Sequence, residues 1–338
     1  YTITADNAQF NQSQGLAYSN DNGRHWTKYA DNPVIANPGF EDFRDPKVFW
    51  HEQTQAWIML TTVGQQIAIY RSTDAKTWLF SSFFGEEHGA HDERAWECPD
   101  LFEISIEGNK KTRWVLIVGV QRGAYSGGSG TQYFVGQFDG EQFINENTPD
   151  TVLWLDYGRD FYATQTWSDI PTADGRRIGI SWMSNWLYAN QLPTQSWRSA
   201  MTMPQELVLK ATPDGLRLCH AFIRELEALC QHQEIAADKT QTTPGAVYSF
   251  NWSDAHRLQF LLELKDNCSL VLLPMNELEF TFTVQKGQLT LRCQRHGQIG
   301  VAEFDEHFPH DFSVELGANR PLSVDLLLDR SSVELLLN

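Results

Sequence analysis

A self-similarity at 52 to 53 residues constrains this chain more than any other feature. Ser19-Asn-Asp21-Asn-Gly23-Arg-His-Trp26 returns as Ser72-Thr-Asp74-Ala-Lys-Thr-Trp78, and Asp45-Pro46-Lys47-Val48-Phe49 returns as Cys98-Pro99-Asp100-Leu101-Phe102. Between these marks lie four strand-like runs: Lys47 to Trp50, Ala56 to Val63, Gln66 to Ser72 and Thr77 to Phe83. A four-stranded unit of this length cannot bury both of its faces alone and must stack on its neighbours, which is the signature of a propeller blade. A third unit runs from Leu101 through Trp114 to Val118 and Gln132 to Gly136 as far as Phe143. A looser fourth runs from Phe161 through Arg177 to Trp182 and on to Leu209.

Composition supports the all-β reading, because aromatic residues make up 12% and the apolar runs are short and separated by Gly, Asn, Asp and Pro. Helical periodicity is confined to His220 to Cys230, where Phe222, Leu226, Ala228 and Leu229 share one face. From about Pro244 the pattern changes to alternating strands such as Leu278-Glu-Phe-Thr-Phe-Thr-Val284, which read as a β-sandwich. The expected organisation is a β-propeller over 1–212, a helical linker over 213–240 and a β-sandwich over 241–338.

The charge balance narrows the partner. With 43 Asp and Glu against 26 Lys and Arg, the net charge of −17 repels phosphate backbones, so no nucleic-acid partner is expected. The longest apolar run, Trp114 to Val120, is far short of the ~20 residues that span a bilayer, so no membrane partner is expected either. Gly127-Gly-Ser-Gly130 lacks the Lys and Ser/Thr of a phosphate loop and reads as a turn. His88-x-x-His91-Asp92 sits in a polar stretch with no helix to set ligand geometry, and the five cysteines contain no C-x-x-C pair. Neither a cofactor nor a metal is therefore expected. A neutral partner fits best.

Equivalent positions of a repeat converge in space, so Asp45-Pro46 and Cys98-Pro99 should meet at one end of the propeller axis. Asp45 directly precedes its Pro and Glu97 lies two residues before the matching one, which gives an acid pair over a shared pocket. Arg44 beside Asp45 would hold that carboxylate charged by pairing. Glu97, between Trp96 and Cys98, has apolar neighbours that favour its protonated form. Two carboxylates of unlike character in an aromatic-rich pocket point to glycoside hydrolysis. The same residues also serve as plain turn formers opening strands, and the Ser-x-Asp pattern serves as a hairpin-turn device.

Arg44-Asp45-Pro46-Lys47, Glu97-Cys98-Pro99-Asp100-Leu101, Gln12-Ser-Gln14-Gly-Leu-Ala-Tyr-Ser19, Phe161-Tyr-Ala-Thr-Gln165 and Asp329-Arg-Ser-Ser-Val-Glu334, in that family order over nearly the whole chain, resemble glycoside hydrolase family 32, the β-fructofuranosidases, levanases and inulinases. The resemblance implies a five-bladed β-propeller followed by a C-terminal β-sandwich, and a retaining hydrolase of fructofuranosyl bonds. By motif, Glu97 resembles the general acid/base and Asp45 the transition-state stabiliser. Arg44, Gln14 and Cys98 fall in the substrate-binding set. Trp182-Met-Ser-Asn-Trp186 resembles a segment of the pocket rim, with Trp186 packing against a sugar face. Gly128-Ser-Gly-Thr-Gln-Tyr-Phe-Val-Gly136 and Asn190-Gln-Leu-Pro-Thr194 look more like exo-acting levanases and inulinases than plant invertases.

The family's nucleophile belongs to a Trp-Met-Asn-Asp-Pro-Asn-like motif on the first blade, and no such motif occurs between Tyr1 and Asn338. The resemblance therefore implies a first blade and a nucleophile upstream of Tyr1, and a last sandwich strand beyond Asn338. Residues 1–338 alone are expected not to turn over substrate. The expected substrate is a fructan or sucrose, and the expected location is extracellular or periplasmic. Two rivals remain open at this point: a non-catalytic sugar-binding propeller-sandwich protein, and a sialidase-like hydrolase, which wants a cluster of arginines.

Overall fold

The computed structural model describes residues 1–4, 11–92, 94–231, 255–275 and 277–338. Two compact units divide it, one of Tyr1–His220 with Ile299–His307, the other of Ala221–Gln298 with Phe308–Asn338. Both are built of strands. The α-helix among the described residues is the six-residue Ala302–His307.

Three antiparallel meanders form the body of the first unit. The first runs Phe43–His51, Ala56–Val63, Gln66–Ser72 and Leu79–Phe84. The second runs Trp96–Ser105, Thr112–Val120, Gly130–Phe138 and Phe143–Asn145. The third runs Tyr162–Thr166, Arg177–Met183, Gln205–Thr212 and Gly215–Phe222. The strand Thr112–Val120 shows why they stack. Trp114, Leu116 and Val118 join Ile58, Leu60, Ile67 and Ile69 of the first meander in one core. The alternate residues Val115 and Ile117 join Leu207, Leu209 and Leu218 of the third in another. A period of two with both phases apolar can satisfy only a sheet that is covered on both faces.

The repeated Ser-x-Asp element closes turns. Asp21 Oδ1 accepts the backbone N–H groups of Arg24 and His25, and Trp26 Nε1 donates to Gly23 O at 2.9 Å. Asp74 Oδ1 likewise accepts from Lys76 and Thr77, and Trp78 Nε1 donates to Ala75 O at 3.1 Å. Those hydrogen bonds, with Ser19 and Ser72 adding theirs, hold both carboxyls down at about 2.

The helix expected over His220 to Cys230 is not formed. Thr212 Oγ1 donates to Gly215 O at 2.8 Å, closing a hairpin whose second strand, Gly215–Phe222, buries Leu218 and Phe222. Pairing along this strand outcompetes the helical period, and a 3-10 turn, Arg224–Leu229, follows. Of the span read as a helical linker, 232–240 lies outside the described residues.

In the second unit a three-stranded sheet (His256–Leu262, Leu322–Leu328, Val333–Leu337) and a four-stranded one (Ser269–Met275, Leu278–Gln285, Gln288–Arg295, His310–Ala318) share one core. Phe280, Phe282 and Val284 alternate into it from one side, and Leu322, Val324, Leu326 and Leu328 from the other.

Two titratable groups of the first unit pull its acid stability in opposite directions. His220 Nδ1 meets Gln205 Oε1 at 2.5 Å, while Nε2 is buried without a hydrogen-bond partner, and burial lowers the imidazole to about 4. The unfolded chain binds that proton near 6.5, so the stabilisation is complete above that pH and is lost as pH falls towards 4. Burial raises Asp156 from 3.8 to about 6. Its contribution is complete below 3.8 and is lost as pH rises through 6. The two opposing terms are each about 1–3 kcal/mol. Asp156→Asn should therefore make the thermal midpoint fall on acidification from pH 6.5 to 4, and His220→Gln should make it rise relative to the parent. Midpoint-against-pH curves parallel to the parent's would contradict both assignments.

Candidate active site

Each meander opens with a strand that carries a bulge. Register slips between Arg44 and Lys47 in the first, opposite Ile117 to Gly119 in the second, and between Tyr162 and Gln165 in the third. The bulged residue is left-handed every time: Asp45 has φ 57°, Cys98 52° and Ala163 51°. A non-glycine residue in that region costs about 1–2 kcal/mol, so three equivalent instances mark a strained element that the surrounding structure enforces. Asp tolerates it best of the three, because its short polar side chain bonds locally.

The bulges sort the residues around them into layers. Arg44, Glu97 and Tyr162 are equivalent, and they meet. Arg44 donates to Glu97 Oε1 from Nη2 at 3.1 Å and Nε at 3.3 Å, and the Tyr162 hydroxyl donates to Glu97 Oε2 at 2.8 Å. The left-handed residues form the next layer. Asp45 Oδ2 accepts the Cys98 N–H at 2.9 Å and lies 3.7 Å from Cys98 Sγ. Below them Lys47, Asp100 and Gln165 meet in turn, with Lys47 Nζ 3.3 Å from Asp100 Oδ1 and 3.2 Å from Gln165 Oε1.

Asp45 and Glu97 are thus brought together across two opening strands, through the N–H of the peptide that joins Glu97 to Cys98. Three expectations need correction. Arg44 does not pair with Asp45. Its guanidinium contacts Asp42 and Glu97 instead, while the left-handed bulge at Asp45 aims that carboxylate at the Cys98 N–H. Nor is Glu97 in apolar surroundings: both of its oxygens accept hydrogen bonds, from Arg44 and Tyr162. Gln14 does not face a cleft either. It is 0% exposed, with Nε2 donating to Phe43 O at 2.9 Å and Oε1 accepting from Thr2 Oγ1, whose oxygen in turn accepts the Asp45 N–H at 3.1 Å. Gln14 is a strut beneath the acid pair.

The charges of the site follow from these contacts. Burial opposes the Arg44 charge, but Asp42 and Glu97 outweigh it and hold the guanidinium above its ordinary range. Burial, then the charges of Asp45 and Glu97, push the Cys98 thiol up, so it stays a neutral thiol. Burial and the Glu97 charge likewise push Tyr162 well up, which keeps it a neutral phenol.

An aromatic path leads outward from there. Tyr162 lies 6.3 Å from Trp182, and Trp182 lies 5.0 Å from Trp186, which is 48% exposed. Trp186 N donates to Ser129 Oγ, and the buried Asn185 donates to the carbonyls of Gly127, Ser129 and Arg159, pinning the segment. His88 stacks against Phe84 at 5.2 Å and meets Asn145 through Nδ1, and His91 stacks against Trp96 at 5.0 Å and meets Gln65 Oε1 and the His88 carbonyl through its ring nitrogens.

Tyr162, Asp42, Asn185 and the Lys47, Asp100 and Gln165 layer were not picked out as site residues from the sequence. The signal for the layer was present in the repeat: carrying the Asp45/Cys98 equivalence two positions on gives Lys47 and Asp100. Tyr162-Ala163-Thr164 lacks the Pro that marks the other two bulges, so the third copy has no such flag.

Residues 1–220 match the family model described as the glycosyl hydrolases family 32 N-terminal domain. A levanase of Bacillus subtilis (strain 168) is 54% identical over 228 residues, which are 67% of this chain and 34% of that protein. A levanase of Bacillus sp. (strain L7) is 34% identical over 346 residues, 96% of this chain and 36% of that protein. Among solved structures, the exo-inulinase from Aspergillus awamori superposes with a TM-score of 0.79 at 30% identity, covering 97% of this chain and 67% of that one. The chain spans about a third of the length of the two levanases.

Proposed function

The chain belongs to glycosyl hydrolase family 32, and on that premise we propose that it belongs to a retaining, exo-acting β-fructosidase that removes terminal fructose from a fructan or sucrose. The three stacked meanders are then blades of a five-bladed propeller, and the second unit is its β-sandwich. Extracellular action follows the relatives, which include an extracellular exo-inulinase of Aspergillus niger.

One observation carries the reading. Glu97 and Asp45, at successive layers of equivalent bulges, are coupled through one peptide, with Arg44 and Tyr162 both fixing Glu97. Glu97 is the acid/base: its proton passes to the glycosidic oxygen as the bond from that oxygen to the fructosyl anomeric carbon breaks and the nucleophile bonds that carbon, and Glu97 then takes a proton from the water that displaces the nucleophile and releases fructose. Tyr162 donates to Glu97 Oε2, which holds the carboxyl in place and leaves its acid proton free for the glycosidic oxygen. Asp45 faces the charge that develops on the sugar, fixed by the Cys98 N–H. The reading assigns the nucleophile to neither residue. Trp186 offers an apolar face at the rim. A sialidase-like site would need arginines free to bind a carboxylate, whereas Arg44 is engaged by Asp42 and Glu97.

The test is to follow the products that the full-length protein, in which the variants below are also made, forms from levan, inulin and sucrose over time. Monomeric fructose from the first sample onward is expected. A ladder of oligosaccharides would refute exo-action, and tight binding without any release would favour the non-catalytic sugar-binding alternative.

A further inference from the structure

We infer that Gln165 is a positioning residue that clamps the strained Cys98 peptide and, through it, sets both carboxylates of the site; this rests on the fructosidase reading. The Cys98 residue is left-handed at φ 52°, a conformation that a cysteine does not hold unaided. Its N–H is spent on Asp45 Oδ2 at 2.9 Å. Its carbonyl accepts from Gln165 Nε2 at 3.1 Å, and the next carbonyl, of Pro99, accepts from the same amide nitrogen at 3.4 Å. The bulged peptide is therefore held from two sides by residues of the other two meanders.

The far end of Gln165 is fixed as well. Its Oε1 accepts from Lys47 Nζ at 3.2 Å, and that ammonium also donates to Thr166 O at 3.3 Å and lies 3.3 Å from Asp100 Oδ1. Asp100, only 1% exposed, accepts the Thr166 N–H at 2.7 Å and its hydroxyl at 2.8 Å. Lys47, Asp100 and Gln165 thus tie the three opening strands together directly beneath the acid layer. Within this tie Gln165 alone reaches the bulge that carries Glu97 on one side and donates to Asp45 from its own N–H. Gln165 touches neither carboxylate, so it acts through backbone geometry.

Gln165→Glu tests this with the shape kept. The carboxylate still meets Lys47, but the donor to the Cys98 and Pro99 carbonyls is replaced by an acceptor. Gln165→Met keeps the volume and removes both polar ends. In both variants kcat for fructose release should fall about tenfold or more, the scale of a misplaced catalytic group, with KM within about twofold of the parent. Amide exchange at Cys98 should accelerate in both. A kcat within about twofold of the parent in both variants, or unchanged Cys98 exchange, would overturn the inference. So would a fall in kcat that merely tracks a loss of thermal midpoint with rising KM, the mark of general loosening. A full-length parent that releases no fructose would sink the fructosidase reading by itself, and Cys98 exchange would still decide whether the clamp exists.

Discussion

Glu97→Gln should lower kcat for sucrose and fructan hydrolysis by roughly 10²–10⁴-fold, the range that a positioned proton donor contributes. The substitution is close to isosteric. The amide oxygen can keep the Arg44 hydrogen bonds now made at 3.1 and 3.3 Å, and the amide NH2 can donate to Tyr162, whose hydroxyl accepts as readily as it donates. Fold and substrate binding should therefore survive while the proton is lost, so the loss should appear in kcat with KM little changed. A β-fructoside with an activated aryl leaving group needs no protonation to depart, so its cleavage step should be far less impaired than that of sucrose. Activity on sucrose within about threefold of the parent would remove Glu97 from the role of acid/base.

The sequence carried the meanders well for a physical reason. Ala56–Val63 and Gln66–Ser72 form over the spans read from the sequence, because a strand covered on both faces is a continuous apolar run bounded by turn residues. The opening strand begins earlier than expected, at Phe43 rather than Lys47, since the bulge at Asp45 interrupts the alternation without ending the pairing. The same periodicity argument failed at His220 to Cys230. Eleven residues fitting a helical face also fit a strand followed by a turn, and the hairpin closed by Thr212 and Gly215 supplied the partner that the local pattern could not show.

The site was legible in its members and illegible in its contacts. Asp45 and Glu97 stood out because a repeat maps one onto the neighbourhood of the other. Their partners did not, because they come from pairing across strands: Arg44 sits next to Asp45 in the chain yet bonds Glu97, 53 positions away. The motif containing Gln14 drew attention to the right segment, but whether an amide faces a cleft or a backbone carbonyl depends on a strand, Phe43–His51, that lies well beyond it in sequence. Tyr162 shows the limit most plainly. Its equivalence to Glu97 is a property of bulge geometry shared by Cys98 and Ala163, and no residue type at those two positions announces it.

Asp45→Asn should lower kcat by roughly 10²–10³-fold, the scale of removing one preorganised electrostatic contact to a developing charge. The choice of Asn isolates that charge. Asn and Asp are the residues that tolerate the left-handed region, so φ 57° is kept, and the amide oxygen can still accept the Cys98 N–H now held at 2.9 Å. The thermal midpoint should therefore stay within a few degrees of the parent's. Asp45→Ala removes the acceptor as well and leaves an alanine in a conformation that costs about 1–2 kcal/mol, so it should lose both activity and stability. Because the Asp45 charge meets its opposite only as the fructosyl unit becomes cationic, the Asn variant should bind substrate nearly as well as the parent, and the defect should again lie in kcat. If instead KM rises in proportion while kcat holds, Asp45 binds the ground-state sugar and has no special part in the transition state.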